Sequence, residues 1–416
     1  MQNGDLSGKR IVHIGAWART FTQFSLPIVK RLNEICEAQI IYCSNEKSHV
    51  DRLREEGLEV RSCDISRRFG SGIPPQIYSL YKTLKTEKYD LCIAHEPLGA
   101  LIGLPAAYLA RIPVKIYQTG GLKYSPDVNG YKNVLYKYGE FSIMQIADAV
   151  LTVNEEDYDY LNNIRSLAQK AYYVGPRDGC GVDTGKFNPA LRKAYRDGAR
   201  KELGLSGNTT VIGYIGRIVW EKGFREIIES AKILRSKKLN FTFLILGDGI
   251  ELDSVREQIR NESLNDYFMF PGYQFRLNYY VSAFDVFILP SYREGLPISL
   301  LEAMAMGIPS IATDIRGCRQ LITDNKTGIL IPARNSKALA DAICRYAQSG
   351  DYAATVSNRA AQEIAAAYSE DIMVDRTLRI YRDIADKTLN HRRAHVRAED
   401  QAHTGPRTRP AERDRG

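Results

Sequence analysis

The sequence predicts an α/β protein built from two doubly wound parallel-sheet domains that face each other across a cleft. Two observations carry this. Short β-branched runs alternate with longer helical patterns, as in chains that lay parallel strands under covering helices. The series also occurs twice, interrupted by a stretch rich in Gly, Pro and charge. At 416 residues the chain is long enough for two domains, and 44% hydrophobic with 25% charged residues is a globular composition.

In the first half the expected strands are 10–14, 38–42, 59–63, 91–94, 114–117, 149–153 and 171–174. Ile77, Leu80, Tyr81 and Leu84 give the i, i+3, i+4, i+7 spacing of an amphipathic helix between them. Asn154 follows a strand with Asp157 three residues on, which reads as a capped helix start. Residues 175–207 lack periodicity, and 179–207 is expected to be a linker between a first domain (1–178) and a second (208–369). Strands of the second half are expected at 211–215, 241–246, 267–270, 286–289, 310–313 and 328–331. A last amphipathic helix spans 370–388, and residues 390–416, polar and Arg-rich, read as disordered.

Composition excludes several function classes. The net charge of +8 is mild, and residues 392–415 supply +3 of it, seven Arg against four acids. The body suits an anionic small ligand or an anionic membrane surface and lacks the basic stripe of a nucleic-acid protein. Seven scattered cysteines without a CxxC pair suit thiols in a reducing compartment, not a zinc site. Only His13, His49 and His95 precede the tail, so a His-rich metal centre is not expected. Residues 1–10 are polar and show no secretory leader. The longest apolar stretch, 98–110, holds a proline and is too short to span a bilayer. A cytoplasmic chain, peripheral on the inner membrane face at most, is expected.

The chemistry concentrates in the second half. Gly216-Arg217-Ile218-Val219-Trp220-Glu221-Lys222-Gly223 places two cations just after a strand. A guanidinium can fork onto phosphate oxygens and an ammonium adds a compact charge, so Arg217 and Lys222 suit a diphosphate. Downstream, Glu294-Gly295-Leu296-Pro297-Ile298-Ser299-Leu300-Leu301-Glu302 sets two carboxylates around a helix start. Gly295 allows close backbone approach, Pro297 suits a first helical turn, and amides near Ile298 and Ser299 would face an anion. Carboxylates accept hydrogen bonds from paired hydroxyls, so Glu294 and Glu302 suit a sugar and a ribose. Two cations and two carboxylates are what a nucleotide-sugar site needs.

Residues 10–388 resemble the retaining glycosyltransferases of family GT4, which have the two-domain GT-B fold. The resemblance rests on 216–223, Gly247-Asp248-Gly249, Phe270-Pro271-Gly272-Tyr273, 294–302, Ala312-Thr313-Asp314-Ile315-Arg316-Gly317, Gly181-Val182-Asp183 and Phe187. It implies that Arg217 and Lys222 hold the donor diphosphate, Glu294 the sugar hydroxyls and Glu302 the ribose. It also implies that Gly272 and Tyr273 flank the base and that the last helix crosses back to complete the first domain. Gly15 would lie in the small-residue loop facing the diphosphate, and Leu296 in the donor loop. His95 matches a recurrent family histidine at a strand end, with a place near the acceptor. Where relatives carry a His-Gly pair, this chain reads Gln118-Thr119-Gly120-Gly121, with Gly120 at the histidine's place. Gln118 or Thr119 substitutes for it, the donor differs, or activity is reduced.

The resemblance further implies no cofactor, generally no metal, and a nucleotide-sugar donor, UDP-linked by expectation. Its bacterial members build capsule, exopolysaccharide or lipid-linked glycans, so the acceptor is a glycan or a lipid-diphosphate-linked sugar. Arg67-Arg68-Phe69 with Ile73-Pro74 form a basic, partly apolar loop that could meet such an acceptor at the membrane. A sugar-nucleotide epimerase on the same fold and a catalytically silent donor-binding subunit remain open alternatives.

Three patterns are set aside. Asp157-Tyr158-Asp159 spells a metal-binding DxD, but on a helix capped at Asn154 the two carboxylates lie roughly 200° apart. Gly247-Asp248-Gly249 lacks the third glycine of a dinucleotide fingerprint, since Leu252 stands there. Residues 183–187 lack both the first glycine and the hydroxyl of a P-loop, because Cys180 and Phe187 occupy those places.

Overall fold

The computed structural model describes residues 6–43, 46–63, 72–122, 124, 131–175 and 179–403. Two parallel sheets organise it. The first runs β3-β2-β1-β4-β5-β6-β7 and the second β10-β9-β8-β11-β12-β13. The first comprises β1 (Arg10–Ile14), β2 (Ala38–Cys43), β3 (Glu59–Ser62), β4 (Leu91–His95), β5 (Val114–Gln118), β6 (Ala149–Thr152) and β7 (Ala171–Tyr173). The second comprises β8 (Thr210–Ile215), β9 (Phe241–Leu246), β10 (Phe268–Gly272), β11 (Val286–Leu289), β12 (Ser310–Thr313) and β13 (Ile329–Ile331).

Every expected strand is present, with ends shifted by no more than two residues. Strands covered by helices on both faces read as unbroken apolar runs; β9 is buried along its whole length. Both sheets reverse their strand order at an inner pair, β1/β4 and β8/β11. Ligands bind outside the carboxyl ends of strands at such a switch point, and the loops leaving β1, β4, β8 and β11 line the cleft here.

The last helix, Glu370–His403, returns to the first domain. Val374, Leu378, Tyr381 and Ile384 join one apolar cluster with Ile11, Ile93 and Ile116. Three sequence expectations need correction. The stretch read as a linker holds a helix, Pro189–Glu202, capped by the Asn188 side chain on the Leu191 amide at 2.9 Å. Its packing face is largely cationic, with Ala199 as its buried apolar residue. Arg192 donates to the carbonyls of Gly307 and Phe284, and Arg196 and Arg200 pair with Asp285. The last helix also runs past the expected end at 388 to His403. Residues 390–403 contain neither Gly nor Pro and include three alanines, so their charge is no barrier to helix. The rest of the expected disordered tail, 404–416, lies outside the described residues, as does Arg67-Arg68-Phe69. Ile73 and Pro74 open a helix, Ile73–Glu87, not a loop. No helix among the described residues is long and apolar enough to cross a membrane.

Candidate active site

A cleft of about 1870 Å³ runs between the two domains. On the second-domain wall, β8 ends at Gly216-Arg217 and a tight turn, Trp220–Lys222, follows. Gly223 closes that turn in the left-handed region (φ +81°), where a Cβ would strike the Pro290 carbonyl. This close approach presses the turn against the end of β11, and Lys222 meets the loop after β11. The Lys222 Nζ lies 2.6 Å from Glu294 Oε1, with both side chains only 13% exposed. Arg217 is turned outward at 70% exposure, 3.4 Å from Glu221. Its carbonyl accepts from the buried Tyr214 hydroxyl at 2.9 Å. Burial, and then the Glu294 charge, hold that phenol well above its usual pKa, so it stays a donor.

The helix Ile298–Ala305 begins at the cleft. Pro297 is its N-cap, one position ahead of the first helical turn, and no side chain caps the helix start. Glu302 follows one turn in, and Gly295, Leu296, Pro297, Ile298 and Glu302 all line the cleft. Tyr273, 56% exposed, stands at the rim with Phe275 edge-on at 5.2 Å. Gly272, half-buried and outside the lining of the cleft, ends β10, and its carbonyl accepts the Gly247 amide at 3.0 Å.

The first-domain wall contributes Trp17, Thr20, Glu96, Gln118, Gly120 and Gly121. Gln118 Oε1 accepts from the Tyr381 hydroxyl of the last helix at 2.8 Å, which ties the end of β5 to that helix. Thr119 is fully buried behind the wall, its amide bonded to Leu151. His95 is also behind it, 3.1 Å from His13 and stacked on it, with Phe21 edge-on. Gly15 sits beneath the same Phe21 ring, where a Cβ would lie 2.8 Å from an edge carbon. Its glycine thus serves core packing.

The two walls touch backbone to backbone. A Cβ on Gly295 would stand 2.5 Å from the Gly120 carbonyl oxygen, whereas a Cβ on Gly120 would meet nothing within 4 Å. Asn154 caps the helix Glu155–Asn162 as its sequence suggests, and Asp157 is buried while Asp159 is exposed. The structure therefore brings Lys222, Glu294, Glu302, Arg217, Tyr273, Gln118 and Gly120 around one cleft and leaves Gly15, Gly272, His95 and Thr119 outside its lining. The direct Lys222–Glu294 pair, the Gln118–Tyr381 link and the interdomain contacts of Arg316 were not anticipated. Arg316 lay within a matched segment, and its charge beside Gly317 was the available signal.

Comparison with known proteins agrees with this architecture. The family of glycosyl transferases group 1 matches residues 196–363. Among curated relatives, an Escherichia coli UDP-Gal:alpha-D-GlcNAc-diphosphoundecaprenol alpha-1,3-galactosyltransferase is 29% identical over 276 residues, covering 65% of this chain and 69% of that one. A Campylobacter jejuni N,N'-diacetylbacillosaminyl-diphospho-undecaprenol alpha-1,3-N-acetylgalactosaminyltransferase is 26% identical over 383 residues, 89% and 96% of the two chains. The crystal structure of Anabaena HepE with UDP and glucose superposes with a TM-score of 0.75 at 18% identity, over 90% of this chain and 99% of that one. The fold is GT-B. The match over residues 196–363 and the likeness to these relatives support a glycosyltransferase of the GT4-like type.

Proposed function

We propose that this protein moves a sugar from a UDP-sugar onto a glycan or lipid-diphosphate-linked acceptor, with retention of anomeric configuration and without a metal, in bacterial surface-polysaccharide synthesis. The observation that carries the reading is the Lys222–Glu294 pair, 2.6 Å apart in the interdomain cleft beside an uncapped helix start. It offers a cation for a diphosphate and a carboxylate for hydroxyls within one ligand's reach. The names of the Escherichia coli and Campylobacter jejuni relatives support a diphosphoundecaprenol-linked acceptor, and the first supports a UDP donor.

The donor's charge sits on its diphosphate and grows as the glycosidic bond breaks. Lys222, Arg217 and the amides at Ile298 and Ser299 meet that charge from the second domain, in the place a divalent cation takes in metal-dependent enzymes. Donor binding draws the Lys222 ammonium from Glu294 toward phosphate, and Glu294 then accepts from sugar hydroxyls. Glu302 accepts from the ribose, and Tyr273 offers a face to the base. The acceptor hydroxyl attacks the anomeric carbon from the side the diphosphate leaves. The new carbon–oxygen bond forms as the bond to phosphate breaks, and the hydroxyl proton passes to the departing phosphate oxygen. A lipid-linked acceptor places the chain at the inner membrane face. The exposed Tyr131, Val134 and Tyr138 of the helix Tyr131–Ile146 suit a peripheral contact there.

The test is product analysis in EDTA, with a UDP-sugar panel and a synthetic diphosphoprenyl-sugar acceptor. An α-linked product from an α-linked donor, by proton coupling at the anomeric carbon, is expected. A β-linked product, or transfer that stops in EDTA, overturns the retaining, metal-independent reading. Sugar isomerised without acceptor would make the protein an epimerase.

A further inference from the structure

We propose that Asn154, Asp157 and Arg316 form an interdomain clamp that sets Gly295 against Gly120–Gly121 and so holds Glu294 in register with the first-domain wall. They are positioning residues, and their effect on transfer rests on the function proposed above. The clamp also gives Asp157, set aside as half of a false metal motif, a role of its own.

Each member reaches across the domain boundary or supports one that does. The Asn154 side chain accepts the Asp157 amide at 2.7 Å, capping the helix, while its Nδ2 donates to Asp157 Oδ2 at 2.8 Å and to the Gly295 carbonyl at 3.2 Å. Asp157 Oδ2 also accepts the Leu122 amide at 3.0 Å, and its Oδ1 receives the Arg316 guanidinium from the other domain. The second amino group of Arg316 reaches the Tyr124 carbonyl at 3.3 Å. The loop after β5 is therefore gripped at Leu122 and at Tyr124, one carboxylate serving both domains.

On the far side, the clamp is rigidly joined to the site. Gly317 packs so closely on the Gly295 carbonyl that a Cβ there would strike it. Arg316 and Gly295 must move together, and Glu294 is the next residue. The Asp157 and Arg316 side chains are 2% and 14% exposed. Burial raises the Asp157 pKa and the Arg316 charge opposes that rise, so the pair is costly to part while the domains stay closed. A buried ion pair adds little net stability over an apolar contact but is well suited to fixing register. Domain interfaces within a chain are mobile by default, and opening would return both charges to water, which makes the clamp reversible. The neighbouring Arg319–Glu156 pair at 3.2 Å is 43% exposed on both sides and contributes little.

The test compares Arg316→Met, Arg316→Lys and Asp157→Asn with the wild type. Arg316→Met is expected to lower kcat of transfer roughly 10²-fold, the penalty of a misplacement near 1 Å. UDP affinity by calorimetry stays within about twofold, because the proposed UDP contacts lie on the second domain. Arg316→Lys, which keeps the charge, recovers part of the lost kcat. Hydrogen exchange gives an activity-independent readout: the Leu122 amide exchanges at least about tenfold faster in Arg316→Met and Asp157→Asn, while β9 amides do not change. An unchanged Leu122 amide in both variants overturns the clamp, as does parallel loss of kcat and UDP affinity. If the wild type transfers no sugar, the proposed function fails, and the exchange measurement still decides the clamp.

Discussion

Gly295→Ala puts the interdomain geometry under the most direct strain. The new Cβ would stand 2.5 Å from the Gly120 carbonyl oxygen, where ordinary contact begins at 3.4 Å. The two backbones must therefore part by about 0.9 Å (3.4 − 2.5), and no flexible side chain can absorb it. Overpacking of this kind typically costs about 1–3 kcal/mol. The larger effect falls on rate: Glu294 is the adjacent residue, and a displacement near 1 Å costs roughly 10²-fold in kcat. Gly120→Ala is the steric control, because its Cβ enters open space and the melting temperature should not change. The assay pairs initial-rate UDP release with thermal unfolding for both variants. A wild-type rate in Gly295→Ala, or a melting loss in Gly120→Ala matching that in Gly295→Ala, would refute the reasoning.

Three further outcomes are expected. Lys222→Ala should lower transfer by the ~2.7–4 kcal/mol typical of a preorganised charge donor, roughly 10²- to 10³-fold, with circular dichroism unchanged. Arg200→Ala breaks a largely buried pair with Asp285 and removes a guanidinium donor from the carbonyls of Ser206 and Thr209. Arg196 stays on Asp285, so the cost of Arg200→Ala in urea unfolding should be about 1.5–3 kcal/mol, that of lost hydrogen bonds to a charged group. Burial pushes the Cys92 thiol up to about 12 and Cys318 well above its usual value. Both should therefore resist alkylation at pH 8 in the native state and react in denaturant, as mass spectrometry of labelled peptides would read.

The strands were legible because parallel strands buried on both faces must be apolar runs, and β9, all aromatic and aliphatic apart from Thr242, is the plainest case. The helix Pro189–Glu202 was not, because the residues that dock it are Arg192, Arg196 and Arg200. They lie at helical spacing but carry the charge that pattern reading assigns to solvent. The last helix outran its apolar stripe because nothing stops it before Gly405-Pro406. Within the site, Arg217, Lys222, Glu294 and Glu302 could be singled out from residue type and from their places after strands or at a helix start. What local sequence cannot show is which distant loops touch. Lys222 and Glu294 pair across 72 positions, Asn154 reaches Gly295 across 141, and Tyr381 reaches Gln118 across 263. The helix start at Asn154 was legible, and it explains why the DxD cannot chelate: Asp157 turns inward to Arg316 and Asp159 outward to water.

The central claim is that the Lys222–Glu294 pair is the donor site of a transferase. UDP release from a UDP-sugar panel, with a diphosphoprenyl-sugar acceptor and EDTA, tests it most directly in wild type and Glu294→Gln. Acceptor-dependent release by the wild type, lowered roughly 10²-fold or more in a folded Glu294→Gln, is the predicted result. Equal release by both proteins would contradict the account.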